Sequence, residues 1–174
     1  MKTCSFTGHR PEGFTFGYDE ENPACKALKI VIRSQIYSLY EMGYKRFITG
    51  CALGVDIWAG EAVLDLRRLN KDVKLIGAIP FKGQDNGWTE EQKERYAALL
   101  NNCDEVVTVC KKFNKGAFYV RDRYMVDNAD VVLAVYDSSK GFSGTGYTVR
   151  YAMSRDMPVI IIDPETFEVT RRNV

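Results

Sequence analysis

Apolar positions along the chain fall into two alternating rhythms. Short, mostly apolar runs, the signature of buried strands, occupy residues 2–6, 45–49, 73–79, 105–109, 129–136 and 159–162. Between them, apolar residues recur every three or four positions, the signature of helices with one buried face. Leu28, Ile32, Ile36 and Leu39 mark the first such face. It starts at Asn22-Pro23, a capping side chain followed by proline at the first helical position, and ends near Gly43. Val55, Ala59, Ala62, Val63 and Leu66 mark a second helix opening after Gly54. Thr89-Glu90-Glu91-Gln92 is a capping box for a third, with Tyr96, Leu99 and Leu100 inward. Residues 117–128 and a segment from Gly146 to about Arg155 supply two more.

Strand and helix alternate throughout, which predicts a single Rossmann-like α/β domain over residues 1–174. The sheet is expected to be doubly wound and mainly parallel, with helices on both faces. Its core is expected within residues 1–162, leaving a short charged tail at 163–174 that is either a loose end or an added edge strand. Two long loops interrupt the rhythm. Residues 7–22 are rich in glycine, proline and aromatics, and residues 137–146 are rich in glycine. Sheets of this kind bind ligands outside the carboxyl ends of their strands, and these loops fall there.

The bulk numbers narrow the function classes. The 174 residues balance 24 Lys and Arg against 23 Asp and Glu, for a formal net charge of +1. A protein devoted to gripping polynucleotide is expected to be far more basic, so nucleic acid is a disfavoured partner. The five cysteines form no C-x-x-C pair and His9 is the lone histidine, so no metal site is expected. With no signal-peptide pattern at the start and no apolar run of membrane-spanning length, a reduced, cytoplasmic setting is expected.

Four segments offer chemistry. Thr7-Gly8-His9-Arg10 follows the first strand, where Gly8 permits close approach and His9 and Arg10 supply donors for a phosphate or carboxylate. Gly50-Cys51-Ala52-Leu53-Gly54 runs from a strand into a helix, whose N-terminus favours anions; Asp56, in the first turn, suits a ribose hydroxyl or the helix dipole itself. Arg121 and Arg123 diverge on a helix, so one can reach a phosphate while the other pairs with Asp122 or Asp127. Ser143-Gly144-Thr145-Gly146 is a second anion cradle before a helix, with Asp137 at the preceding strand end. Phe81, Trp88 and Tyr147 are candidates to stack on a base, and Glu61 is expected to be solvated or helix-packed.

The run Thr49-Gly50-Cys51-Ala52-Leu53-Gly54-Val55-Asp56 resembles the S-G-x-A-x-G-I-D signature of the DNA-processing protein DprA/Smf. Together with the Thr7 and Ser143 segments, it makes the chain similar to the YpsA-like family of the SLOG superfamily, from Thr7 to about Ile162. The resemblance implies a nucleotide-derived ligand, such as an ADP-ribose or NAD-like molecule, a regulatory or stress role, and by analogy a homodimer. LOG-type members of the superfamily split nucleoside monophosphates with a G-G-x-G-T-x-x-E loop. Here the second glycine position holds Phe142 and the glutamate position Thr148, so the assisting carboxylate of that hydrolase is missing.

The leading expectation is therefore a nucleotide-ligand-binding regulatory domain. Residues 50–56 and 143–148 would hold phosphate and ribose, and Arg10 with Arg121 or Arg123 would neutralise charge. A bulky residue at Gly54 or Gly144 is expected to block the ligand while sparing the fold. The rivals are an enzyme cleaving a nucleotide N-glycosidic or phosphoanhydride bond, with Glu61, Asp56 or Asp137 replacing the lost glutamate, and a protein- or single-stranded-DNA-interaction module.

Overall fold

A computed structural model describes residues 1–173 of the chain. Six strands lie parallel: β1 (Lys2–Gly8), β2 (Tyr44–Thr49), β3 (Lys74–Ile79), β4 (Glu105–Thr108), β5 (Val131–Val135) and β6 (Val159–Ile162). A seventh, β7 (Val169–Arg172), pairs antiparallel with β6, so the charged tail becomes an edge strand. The order is β4-β3-β2-β1-β5-β6-β7. The chain thus builds outward from β1 in one direction, then returns to build outward from it in the other. That reversal sets the switch point between β1 and β5, where the loops diverge and leave a crevice.

Five helices cover the sheet: α1 (Pro23–Glu41), α2 (Val55–Leu69), α3 (Glu90–Asn101), α4 (Ala117–Asp127) and α5 (Gly144–Ser154). Alternate side chains of each strand serve opposite faces, because successive β-carbons point to opposite sides of a pleated strand. Phe6, Phe47, Leu75, Leu133 and Ile160 join Leu28, Ile32, Ile57 and Leu99 of α1–α3 in one core. Val132, Ala134 and Val159 join Val126, Val149 and Ala152 in a second, and Ile48, Ile76 and Ala78 join Met125 in a third, beneath α4 and α5. Burial on both faces explains why the central strands read as mostly apolar runs, whereas β4, expected to be buried, lies at the sheet edge and is largely exposed.

Local chemistry sets the helix ends. Asn22 caps α1 by accepting from Ala24 N, and Thr89 and Gln92 complete the capping box of α3. At α5 the expected boundary moves. Ser143 accepts from Gly146 N at 3.0 Å, so the helix starts at Gly144 and both glycines sit in its first turn rather than in the loop. β1 likewise runs on to Gly8, and the loop after it contains a short 3-10 turn, Pro11–Gly13.

Candidate functional site

The crevice between the ends of β1 and β5 is a cleft of about 400 Å³. Its floor is Phe6, Thr7 and Gly8 at the end of β1, with His9 and Arg10 following. One wall is Ala52 and Asp56 at the start of α2; the opposite one is Ser143, Gly144 and Thr145 at the start of α5. α4 and its approach close the cleft with Lys115, Phe118, Tyr119, Arg121 and Asp122. Two helix N-termini therefore converge with Arg10, Lys115 and Arg121 on one space, an arrangement that favours an anion.

Glycines make the close approaches possible. A β-carbon on Gly8 would stand 2.5 Å from Val55 Cβ, so only glycine lets α2 settle against the end of β1. A β-carbon on Gly50 would strike Arg121 Nη1 and Asp56 Oδ2, so Gly50 makes room for these two buried charges. Gly144 differs: a β-carbon there meets nothing within 4 Å, leaving its first-turn backbone open to the cleft.

The charges in the cleft are buried side by side. Arg121 is 5% exposed; its Nη1 donates to Gly50 O at 2.5 Å and its Nε to Asp122 Oδ1 at 2.8 Å. Its Nη1 lies 3.9 Å from Asp56 Oδ2, near the limit of an ion pair. Burial pushes the Asp56 carboxyl up to about 6, only partly opposed by the Arg121 cation and by the Ala52 N–H at 3.4 Å. Burial also opposes charge on Arg121, but Asp122 and Asp56 outweigh it and hold the guanidinium charged. Arg10 lies over the Phe118 ring at 5.1 Å, which aims an exposed cation across the cleft mouth.

His9 ties the switch point together. Its Nε2 accepts from Asp137 N at 3.3 Å, joining the loops after β1 and β5. Burial, reinforced by Lys140, lowers its pKa against the pull of Asp137, so it is neutral at pH 7. Asp137 itself accepts from Ser139 N and Oγ, and these bonds hold its carboxyl below the usual range.

Not every residue singled out in the sequence reaches the cleft. Gly50 and Cys51 lie behind its wall, and Asp137 is turned to Ser139. Arg123 is absent from the cleft lining; Arg121 lines it and is also the arginine that pairs with Asp122, so the two roles are not divided between the arginines as expected. A β-carbon on Gly146 would meet Tyr136 OH at 3.1 Å, so this glycine serves helix–strand contact. Leu53 and Gly54 face a different cavity beyond α2. Gly54 has φ +89, and a β-carbon there would lie 2.8 Å from His9 O. A bulky residue at Gly54 therefore disturbs the β1 loop itself, contrary to the expectation that the fold would be spared.

The stacking candidates also lie elsewhere. Phe81 packs edge-on to Phe113 and Phe118, Trp88 packs on Tyr96, and Tyr147 packs on Tyr119. Phe118 and Tyr119 line the cleft instead. With Lys115, in the turn ahead of α4, they were missed in the sequence, whereas Asp122 was read there only as a pairing partner for an arginine, a part it takes with Arg121. Glu61 lies outside the cleft lining: part-exposed on α2, it packs toward α3 and accepts from Arg95 Nε at 2.7 Å. Among the described residues no group of three or more His, Cys, Asp or Glu is placed to hold a metal, and no helix is long and apolar enough to cross a membrane.

Comparison with known proteins places this geometry in a family. The family described as the YspA SLOG family, YpsA, matches residues 4–167. A UPF0398 protein of Bacillus thuringiensis strain Al Hakam is 30% identical over 143 residues, covering 80% of this chain and 77% of the relative. A UPF0398 protein of Bacillus cereus strain AH187 matches equally. Among solved structures, DNA processing protein A from Helicobacter pylori, described for its single-stranded DNA binding mode, aligns with TM-score 0.62 at 20% identity, over 96% of this chain and 67% of that one. The structural-genomics protein TM1055 aligns with TM-score 0.58 at 19% identity, over 91% and 72%. Both share the fold.

Proposed function

This chain belongs to the YspA SLOG family, and we propose that it is a regulatory domain binding a nucleotide or nucleotide-derived ligand of the ADP-ribose or NAD type. One observation carries the reading: two helix N-termini and the cations Arg10, Lys115 and Arg121 converge on a single cleft at the β1/β5 switch point. The backbone of Gly144 and Thr145 suits a phosphate, with Arg10 and Lys115 neutralising charge at the mouth. Asp56 suits a ribose hydroxyl, and Phe118 and Tyr119 offer apolar surface for a base.

Calorimetric titration with ADP-ribose, NAD and AMP tests the reading, on wild type and on Gly144→Val and Arg10→Ala. Saturable binding is expected, weakened at least tenfold by Gly144→Val, whose side chain enters the open cradle. No binding of any of the three, or unchanged affinity in both variants, overturns it. A parallel titration with a single-stranded oligonucleotide tests the DNA-binding alternative that the Helicobacter pylori neighbour raises, against which the near-neutral charge weighs.

A second reading, cleavage of a nucleotide bond, has one observation in its favour. Of the three carboxylates that could replace the missing glutamate, Glu61 and Asp137 are tied elsewhere, whereas Asp56 lines the cleft with its pKa raised toward the working range of an acid–base group. Chromatography of NAD, ADP-ribose and AMP incubated with wild type and Asp56→Asn decides it. Products formed by wild type alone support turnover; intact ligands throughout leave a binder.

A further inference from the structure

Two cysteines meet over a glycine directly behind the cleft wall. A β-carbon on Gly77, in β3, would stand 3.3 Å from Cys51 Sγ and 3.3 Å from Cys103 Sγ. Both sulfurs thus share the space that any other residue at 77 would fill. Cys51 is 0% exposed and sits in the β2–α2 turn with φ +55, a left-handed backbone that a non-glycine residue seldom adopts. Cys103 follows the C-cap of α3 and is half-buried. Each thiol donates to a backbone carbonyl of its own segment, Cys51 Sγ to Thr49 O at 3.7 Å and Cys103 Sγ to Leu99 O at 3.4 Å.

We propose that Cys51 and Cys103 are a redox modification site: a peroxide or a small-molecule disulfide oxidises them to a reversible intrachain disulfide. The division of roles follows from their surroundings. The neighbouring Cys51 thiol, then the Arg67 cation, lower the Cys103 thiol against the effect of burial, and Cys103 has access to solvent. Cys103 is therefore the attacking thiolate. With hydrogen peroxide, its sulfur displaces one hydroxide, which leaves as water after protonation, and becomes a sulfenic acid. The Cys51 sulfur then displaces the sulfenic hydroxyl, giving its thiol proton to a second water. In sum two thiols lose two electrons and two protons, and one peroxide becomes two waters.

The position of Cys51 links this chemistry to the cleft. Gly50, one residue before it, accepts from Arg121, and Ala52, one residue after it, lines the wall beside Asp56. A bond from Cys51 to Cys103 draws on that turn from behind. A change in ligand affinity on oxidation rests on the proposed binding reading; the crosslink itself does not.

The test uses the full chain without any ligand. Protein treated with hydrogen peroxide is alkylated, digested without reduction and mapped by mass spectrometry. The expected result is a peptide joining Cys51 to Cys103, with an intact mass lower by two hydrogen atoms, restored by dithiothreitol. In Cys103→Ser, buried Cys51 is expected to stay unoxidised. Hydrogen exchange of oxidised against reduced wild type is expected to change within residues 50–56 and not in β5. Recovery of both cysteines as free thiols, or of Cys103 as sulfinic acid without a crosslink, overturns the proposal. Unchanged exchange at 50–56 in crosslinked protein overturns the link to the cleft, whether or not nucleotides bind.

Discussion

The turn between β2 and α2 sends Ala52 and Asp56 into the cleft of about 400 Å³ and Leu53, Gly54 and Ile57 into a second cavity of about 750 Å³. The second is larger, yet its charges answer one another. Glu20 accepts from Arg95 Nη1 at 2.8 Å and also from Lys29 and the Trp58 indole, while Arg95 reaches Glu61 as well. Burial alone would raise the Glu20 carboxyl, but the bonds from Arg95, Lys29 and Trp58 outweigh it and bring it down to about 2. In the cleft the balance runs the other way: Asp56 rises to about 6 although a buried arginine stands beside it. Where charges are mutually satisfied, the network holds structure together. Where a buried carboxyl is pushed toward neutrality beside a cation in an open cleft, it is a candidate for function. The smaller cavity is therefore the better site.

The sharpest way to break this comparison is to remove the central cation of each region. Arg121→Met strips Gly50 O and Asp122 of a donor and leaves Asp56 buried without a counter-charge. Loss of one partner of a buried pair costs about 3–5 kcal/mol, so a matching fall in unfolding free energy is expected in urea titrations, together with loss of ADP-ribose binding. Arg95→Met frees Glu20 and Glu61, both part-exposed, and is expected to cost roughly 1–2 kcal/mol while leaving cleft affinity unchanged. Equal costs at both arginines would erase the distinction between the regions.

Two glycines sharpen it further. Gly54→Val forces a branched side chain into φ +89 and onto the carbonyl of His9, and about 2–3 kcal/mol of destabilisation is expected. Gly144→Val meets open space, so its melting temperature should stay close to wild type while ligand affinity falls at least tenfold. The same substitution thus separates a glycine that shapes the scaffold from one that faces the ligand. Comparable thermal stability of the two variants would refute the assignment.

These two glycines also show where the sequence was legible and where it was not. Mostly apolar runs gave the central strands because both faces of the sheet are covered there, and capping chemistry at Asn22 and Thr89 gave the helix starts. The tail resolved into an edge strand only through its pairing with β6, a contact that no local pattern encodes. Residues 50–56 read as one phosphate loop, but a turn has two sides, and alternation within it sends neighbours into different cavities. Arg121 and Arg123 are equally basic in sequence; only the placement of α4 against Gly50 decides between them. Tyr119 and Asp122, three apart on α4, share a helix face, but no local pattern brings that face, or Lys115 ahead of the helix, to the cleft; only the packing of α4 does.

A gentler test exploits the second cavity's acid range. Because the Glu20 pKa is lowered in the fold, its contribution is present above the unfolded value near 4 and is lost as pH falls through about 2. Glu20→Gln should therefore lower stability at pH 7 by roughly 1–2 kcal/mol and flatten the loss between pH 4 and 2. Thermal melts across that range check it. A wild-type profile that is no steeper than that of the variant would show that the network is not what holds Glu20 ionised.

The smallest expected effect separates the two regions most finely, because Asp56 has the opposite sign. Its folded pKa is raised, so its contribution to stability is present below the unfolded value near 4 and is lost as pH rises through about 6. The same titration acts on the ligand. Below about 6 the neutral carboxyl no longer competes for Arg121 or repels a phosphate, so the cleft is more positive. ADP-ribose, whose pyrophosphate stays ionised throughout, is therefore expected to bind a few-fold more tightly at pH 5.5 than at pH 7.5. Asp56→Asn removes the titrating group and should hold affinity flat across that interval, while Glu20→Gln should retain the wild-type slope. Calorimetric titration at the two pH values on all three proteins measures it. A slope that persists in Asp56→Asn would place the titrating group elsewhere in the cleft, with His9, whose pKa burial lowers, the next to substitute.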